Sequence, residues 1–253
     1  MTKPQLTILA VGATGSIGGH VIAEAVGQGH KVRALVRAPG KLKPLPGLEI
    51  AVADLTREQS LLAAVEGVDA IVFTHGTYGN PQEAEKVDYG GVRNLLAALG
   101  DRHVRIALMT AIAVTDRKGS HDWKRRAERL VRASGHSYTI VRPGWFDYNN
   151  PDQLRPVFLQ GDKRQSGTPR DGVIARRQVA KVLVDSLTSD AALRKTLELV
   201  AERGPEPNDL DPLFAMLDAD AIGALDAAHD AKNMPLDLEP LQVLKAFSDL
   251  RRV

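Results

Sequence analysis

The chain has no cysteine among its 253 residues, which excludes disulfides, thiolate metal sites and thiol nucleophiles and leaves the redox compartment open. No apolar run approaches the length of a membrane span. Lys3 and Pro4 precede only six apolar-leaning residues before a glycine cluster, too few for the apolar region of a signal peptide. The seven histidines are scattered, with no His-Glu-x-x-His spacing. Charge of one sign is also missing: the formal net charge is +2, which argues against wholesale nucleic-acid binding. Internal repeats and low-complexity tracts are absent. A cytoplasmic protein with a small-molecule substrate, and neither a nucleic-acid nor a membrane partner, is the expectation.

What is present is alternation. Apolar runs at 7–11, 32–36, 48–52, 70–74, 105–109, 139–142 and 197–200 predict strands. Helical spacing predicts helices over 18–28, 57–65, 83–99, 121–133 and 177–187. This is the pattern of an α/β protein with a doubly wound parallel sheet covered on both faces, whose ligands lie beyond the strands' C-terminal ends. The length suits one large domain, assigned to residues 1–203 and including the substrate cleft. After Gly204, three prolines (Pro205, Pro207, Pro212) break the chain, and residues 205–253 carry ten acidic side chains against four basic ones. Helices are expected around 213–228 and 240–250, forming a small helical C-terminal extension over 204–253 that packs on the main domain or on a second subunit. Arg125, Arg126, Arg129 and Arg132 read as a solvated helix face.

The first strand runs into Gly12-Ala13-Thr14-Gly15-Ser16-Ile17-Gly18 and then a helix. A glycine turn between strand and helix lets backbone N–H groups approach a diphosphate at the positive end of the helix. The second strand ends at Arg37, with Arg33 and Lys41 nearby, and no acidic residue occurs between Lys31 and Leu48. A carboxylate there would bind a bare ribose diol; an arginine suits a 2′-phosphate. The expected cofactor is therefore NADP(H). Asp54-Leu55 and Thr74-His75-Gly76 end the next two strands at the same edge. Asp54 either accepts from the adenine amino group or caps the following helix.

These elements resemble the short-chain dehydrogenase/reductase superfamily, and within it the atypical NmrA-like branch. The resemblance covers about residues 5–200. It is carried by the glycine turn, Leu35-Val36-Arg37, Ala53-Asp54-Leu55, the stretch from Val87-Asp88-Tyr89 to Asn94-Leu95-Leu96, Trp123-Lys124-Arg125-Arg126-Ala127-Glu128, and Tyr138-Thr139-Ile140-Val141-Arg142-Pro143-Gly144. It implies a Rossmann fold, with Pro143 joining the cofactor site. It also implies carbonyl reduction by a tyrosine, a lysine and a serine. Lys124 fills the lysine position, but Ser120 stands where the tyrosine belongs. Thr110-Ala111 replaces a serine pair, and Asp88 replaces an asparagine. A phenol is a poor acid at neutral pH without a nearby cation; here the phenol itself is missing.

Ordinary alcohol chemistry is thus set aside. The expectation is an NADPH-dependent reductase acting on a conjugated, quinone-like or flavin acceptor, which takes protons without that tyrosine. Lys124, Ser120 and Thr110 are the catalytic candidates; His75, Tyr78, His121, Trp145 and Tyr148 are candidate substrate contacts or proton donors. The rival reading is an NADP(H)-binding sensor without turnover. Oligomerisation is expected, if at all, through the C-terminal helices.

Overall fold

The computed structural model describes residues 4–250. The chain runs β1 (Thr7–Val11), α1 (Gly18–Gly27), β2 (Lys31–Val36), β3 (Leu48–Val52), α2 (Glu58–Leu61) and β4 (Ala70–Phe73). Next come α3 (Pro81–Glu83), a wide π turn (Ala84–Tyr89), α4 (Gly90–Leu99), β5 (Arg105–Met109), α5 (Gly119–Ala133) and β6 (Ser137–Pro143). The remainder is β7 (Trp145–Phe146), β8 (Arg155–Leu159), β9 (Val173–Ile174), α6 (Arg176–Ser186), β10 (Lys195–Glu202), α7 (Asp211–Ala215) and α8 (Leu241–Leu250).

The main sheet has the order β3-β2-β1-β4-β5-β6-β10-β8. All its pairings are parallel except that of β8 with β10. Strand order reverses between β1 and β4, which opens a crevice beyond their C-terminal ends. Buried residues of α1 and α6, including Val21, Ile22, Val179 and Leu183, cover one face. On the other, Leu61, Leu95 and Leu130 pack with Val243 and Phe247 of α8. The seven expected strands are present; the antiparallel edge strand β8 and the short β7–β9 pair were not anticipated.

Three expected helices need correction. The one expected over 83–99 is regular α-helix only from Gly90, after the short α3 and the π turn. The helix expected over 57–65 is one turn, Glu58–Leu61. The helix expected over 213–228 stops at Ala215, because Asp220 is drawn inward. Its Oδ2 accepts from Arg132 Nε (3.0 Å), Tyr138 Oη (3.0 Å) and Thr196 Oγ1 (2.7 Å), and its Oδ1 from the Ala228 N–H (2.9 Å).

The larger correction concerns the arginines of α5, which are not solvated. Arg125 and Arg129 are almost wholly buried, and Arg126 and Arg132 nearly so. Arg125 and Arg129 pair with Asp226, Arg126 and Arg129 with Glu239, and Arg132 with Asp220 and Glu128. Arg142 of β6 joins Glu128 (2.7 Å) and Asp230 (2.7 Å). Asp220, Asp226, Asp230 and Glu239, four of the acidic residues after Gly204, are thus counter-charges for a buried basic face that Glu128 alone would leave largely unpaired. Burial pushes the Glu128 carboxyl upward, but Arg142 and Arg132 outweigh it and hold the group at about 2.

This lattice generates a stability prediction. Glu239→Ala leaves Arg126 and Arg129 without their shared carboxylate and should cost about 3–5 kcal/mol. Glu202→Ala, which breaks the solvent-exposed pair with Arg155, should cost at most about 1 kcal/mol. Urea denaturation midpoints of both variants check the contrast.

Candidate functional site

The turn after β1 needs glycine at two points. Gly12 has φ +85°, and a Cβ on it would lie 2.6 Å from the His75 backbone nitrogen. A Cβ on Gly18 would sit 2.1 Å from the Gly12 carbonyl oxygen. Thr74 fastens the end of β4 to β1, since its backbone N–H (2.9 Å) and its Oγ1 (3.0 Å) both donate to the Val11 carbonyl. The backbone around the turn is thereby fixed and bare, as a cradle for phosphate must be.

From this turn a cleft of about 830 Å³ extends across the sheet edge. It brings together Gly12, Thr14, Gly15, Ser16, Ile17, Arg37, Asp54, Leu55, Thr74, His75, Gly76, Tyr78, Thr110, Ser120, His121, Lys124, Pro143 and Trp145. Gly18 is buried beneath the turn instead of lining the cleft. Tyr148 also stands outside the lining: it is exposed and packs edge-on against Trp145 at 6.0 Å. Tyr78 lines the mouth but is 91% exposed, so it covers nothing as the site stands. Arg33 does not join Arg37, because its guanidinium donates to the Ala64 and Glu66 carbonyls and pairs with Glu49.

Asp54 Oδ1 accepts from the Thr56 N–H (2.9 Å) and Thr56 Oγ1 (2.8 Å). These bonds, the backbone one foremost, hold its carboxyl below the usual range. It closes a turn ahead of α2, whose N-cap is Arg57. A charged acceptor is thereby presented at the cleft wall.

At the far end of the cleft, Lys124 is not a free cation. Its Nζ donates to Asp88 Oδ1 at 2.6 Å, and Asp88 also accepts from the Thr77 N–H (3.2 Å) and Thr77 Oγ1 (2.5 Å). Asp88 belongs to the π turn between α3 and α4. Such a widened turn commonly marks a functional position. Thr110 Oγ1 donates to Glu128 Oε1 at 2.7 Å. Its proton is directed into the buried lattice, so this catalytic candidate has no hydroxyl proton to offer a substrate in the cleft.

Two histidines differ sharply. His75 Nε2 faces the Val87 carbonyl at 3.1 Å and must carry the proton, while Nδ1 is buried and without a partner. Burial, opposed by Asp88, pushes its pKa down to about 4. It is a neutral wall residue at pH 7, not an acid. His121 Nδ1 lies 3.0 Å from the Ala113 carbonyl and 2.9 Å from Asp116 Oδ1. Two acceptors place the proton on Nδ1, and Nε2 bonds to no partner among the described residues. Asp116 also accepts from the Lys118 N–H and pairs with its Nζ. Its carboxyl stays low, burial notwithstanding, through these bonds to Lys118 and His121.

Asp116 in the cleft wall, and Asp88 and Glu128 behind it as partners of Lys124 and Thr110, were not read from the sequence in these places. Among the described residues no group of three or more His, Asp or Glu side chains could hold a metal ion, and no helix is long and apolar enough to cross a membrane.

The sequence profile of a family described as NAD(P)H-binding matches residues 12–190. An uncharacterised chloroplastic protein of Arabidopsis thaliana is 29% identical over 233 residues, covering 82% of this chain and 81% of that one. Sanguinarine reductase of Eschscholzia californica is 25% identical, covering 85% of this chain and 97% of its own length. Among solved structures, an NADPH-dependent quinone oxidoreductase of Escherichia coli in complex with NADPH superposes with a TM-score of 0.59 at 20% identity, covering 78% of this chain and 71% of that one. That likeness extends to the fold.

Two outcomes are expected. Gly18→Ala should weaken NAD(P)H binding at least about tenfold, whereas Gly19→Ala, whose Cβ meets nothing within 4 Å, should leave binding unchanged; calorimetric titration compares them. As pH falls from about 6.5 to about 4, the unfolded state takes up the His75 proton before the folded state does. Stability present above pH 6.5 should therefore be lost across that window, and less of it in His75→Gln, as read from denaturation midpoints against pH.

Proposed function

The chain belongs to the NAD(P)H-binding family, and from that premise we propose that it is an NADPH-dependent reductase of a small conjugated, quinone-like or flavin acceptor. The observation that carries this reading is the polar inventory of the cleft. Ser120 occupies the place of the proton-donating tyrosine, Thr110 gives its proton to Glu128, and Lys124 is paired with Asp88. Thr110 and Lys124 are both engaged by carboxylates, and Ser120 is an aliphatic hydroxyl, so no acidic phenol stands ready to pair a developing alkoxide with a proton. Conjugated acceptors do not need that service from a phenol, because they delocalise the incoming charge and are protonated afterwards.

The residues fit the cofactor. The bare turn at Gly12 and Gly15 accommodates a diphosphate, Arg37 offers a bidentate fork to a 2′-phosphate, and Lys124 and Pro143 border the opposite end. Bound NADPH supplies the hydride. The chain's own part is positioning and proton handling. Trp145 offers a flat apolar wall to a planar acceptor. His121, oriented by Asp116 and the Ala113 carbonyl with its proton on Nδ1, is the side chain in the cleft best arranged to take a proton from solvent at Nε2 and pass it to the reduced acceptor.

The engagement of both Lys124 and Thr110 favours one rival, a sensor that binds NADP(H) without turnover. Mixing the protein with NADPH and a panel of quinones, free flavins and aldehydes separates the two. Acceptor-dependent loss of reduced-nicotinamide absorbance with quinones or flavins, and none with aldehydes, is expected. Tight binding with no oxidation by any acceptor supports the sensor. Arg37→Ala should weaken NADPH about 10–100-fold, the worth of one charge-assisted contact, while leaving NADH affinity unchanged.

A further inference from the structure

Outside the cleft lining, one cation among the described residues hydrogen-bonds to the glycine turn. Arg176, the first residue of α6, donates from Nε to Ser16 Oγ at 3.1 Å. Because that hydroxyl accepts from Arg176, its own proton remains free to point at an anion in the cradle. Arg176 Nη1 donates to Asp147 Oδ2, Asp147 Oδ1 accepts from the Arg176 backbone N–H at 3.0 Å, and the guanidinium lies 5.2 Å from the Phe146 ring centroid. Nη2 donates no hydrogen bond among the described residues.

We infer that Arg176 is a ligand of the cofactor's diphosphate and that, through Asp147, it fastens the cleft segment 145–148 to the glycine turn. The assignment rests on the cofactor reading above. Unlike the arginines of α5, Arg176 is about one-third exposed and its partner Asp147 about half exposed. Pairs in that setting contribute little to stability. Yet this one recruits a hydroxyl, a ring, a backbone N–H and an aspartate in the left-handed region, at φ +59°. That degree of arrangement around a cation beside a phosphate cradle is what anion binding requires. The Asp147 carboxylate alone would repel a diphosphate, and Arg176 neutralises it. The connection to Trp145 is short and stiff. The Asp147 N–H donates to the Ile174 carbonyl, and the Trp145 N–H to that of Gly172, both at 2.9 Å. Residues 145–148 and the start of α6 therefore form one corner.

The test uses two nucleotides that both carry the 2′-phosphate but differ in the 5′-phosphate, the adenosine-side half of the diphosphate: adenosine 2′,5′-bisphosphate and adenosine 2′-monophosphate. In calorimetric titrations of the full chain, Arg176→Ala should weaken the bisphosphate about 10–100-fold and leave the monophosphate unchanged, with Arg176→Lys in between and the thermal midpoint unmoved. Equal effects on both nucleotides, or none, overturn the assignment. A wild-type chain that binds neither overturns the cofactor reading and this assignment with it. In a Trp123→Phe background, the remaining Trp145 fluorescence should change when the bisphosphate binds, and Asp147→Asn should abolish that change without abolishing binding. A response that survives Asp147→Asn overturns the fastening.

Discussion

Five buried arginines and the carboxylates that neutralise them fix the helix that lines the cleft against the rest of the fold. Arg125, Arg126, Arg129 and Arg132 lie on one helix, and Arg142 lies on the strand that follows it. Glu128 sits between them, and Asp220, Asp226, Asp230 and Glu239 arrive from the last fifth of the chain. The same helix carries Ser120, His121 and Lys124 into the cleft. The orientation of the candidate chemical groups therefore depends on counter-charges supplied from far along the sequence. Asp220, Asp226, Asp230 and Glu239 thus support, from behind, the helix that lines the cleft.

That dependence also reaches the chemistry. Thr110 stands at the end of β5 in the cleft, yet its hydroxyl proton belongs to Glu128, which Arg142 and Arg132 keep ionised. A threonine in that position looks from sequence like a hydroxyl offered to substrate. In the fold it is a bolt between the cleft floor and the ion lattice. Lys124 is held in the same way by Asp88, so each end of the expected catalytic machinery is engaged by a carboxylate. What remains in the cleft is a cofactor cradle, an apolar wall and one histidine oriented through Nδ1.

The strands, the glycine turn, Arg37 and the cleft residues around Thr74 and Pro143 were legible in the sequence. Their signals are local: apolar runs, glycines at fixed spacing, and a basic residue at a strand end. The α5 arginines were not legible, because helical spacing reads the same for a solvated basic face as for a buried one. The informative signal was non-local, namely the acidic excess after Gly204 matching basic helix residues 88 to 113 positions earlier. The same pairing explains why apolar spacing over 213–228 failed to give a helix: Asp220 is worth more facing Arg132 than facing solvent. Arg176 had no local signal at all, since its meaning comes from Ser16, on a different element. His75 and His121 were equivalent as letters and differ only through what surrounds their rings.

The central question for this cleft is whether hydride leaves it for an acceptor. A single-turnover experiment tests it most directly: the preformed complex with NADPH deuterated at C4 is mixed with a saturating quinone, and nicotinamide oxidation is followed by stopped flow. The account predicts oxidation that is slower for the deuterated cofactor than for the protiated one. Absence of oxidation, or oxidation at the same rate for both, would contradict it.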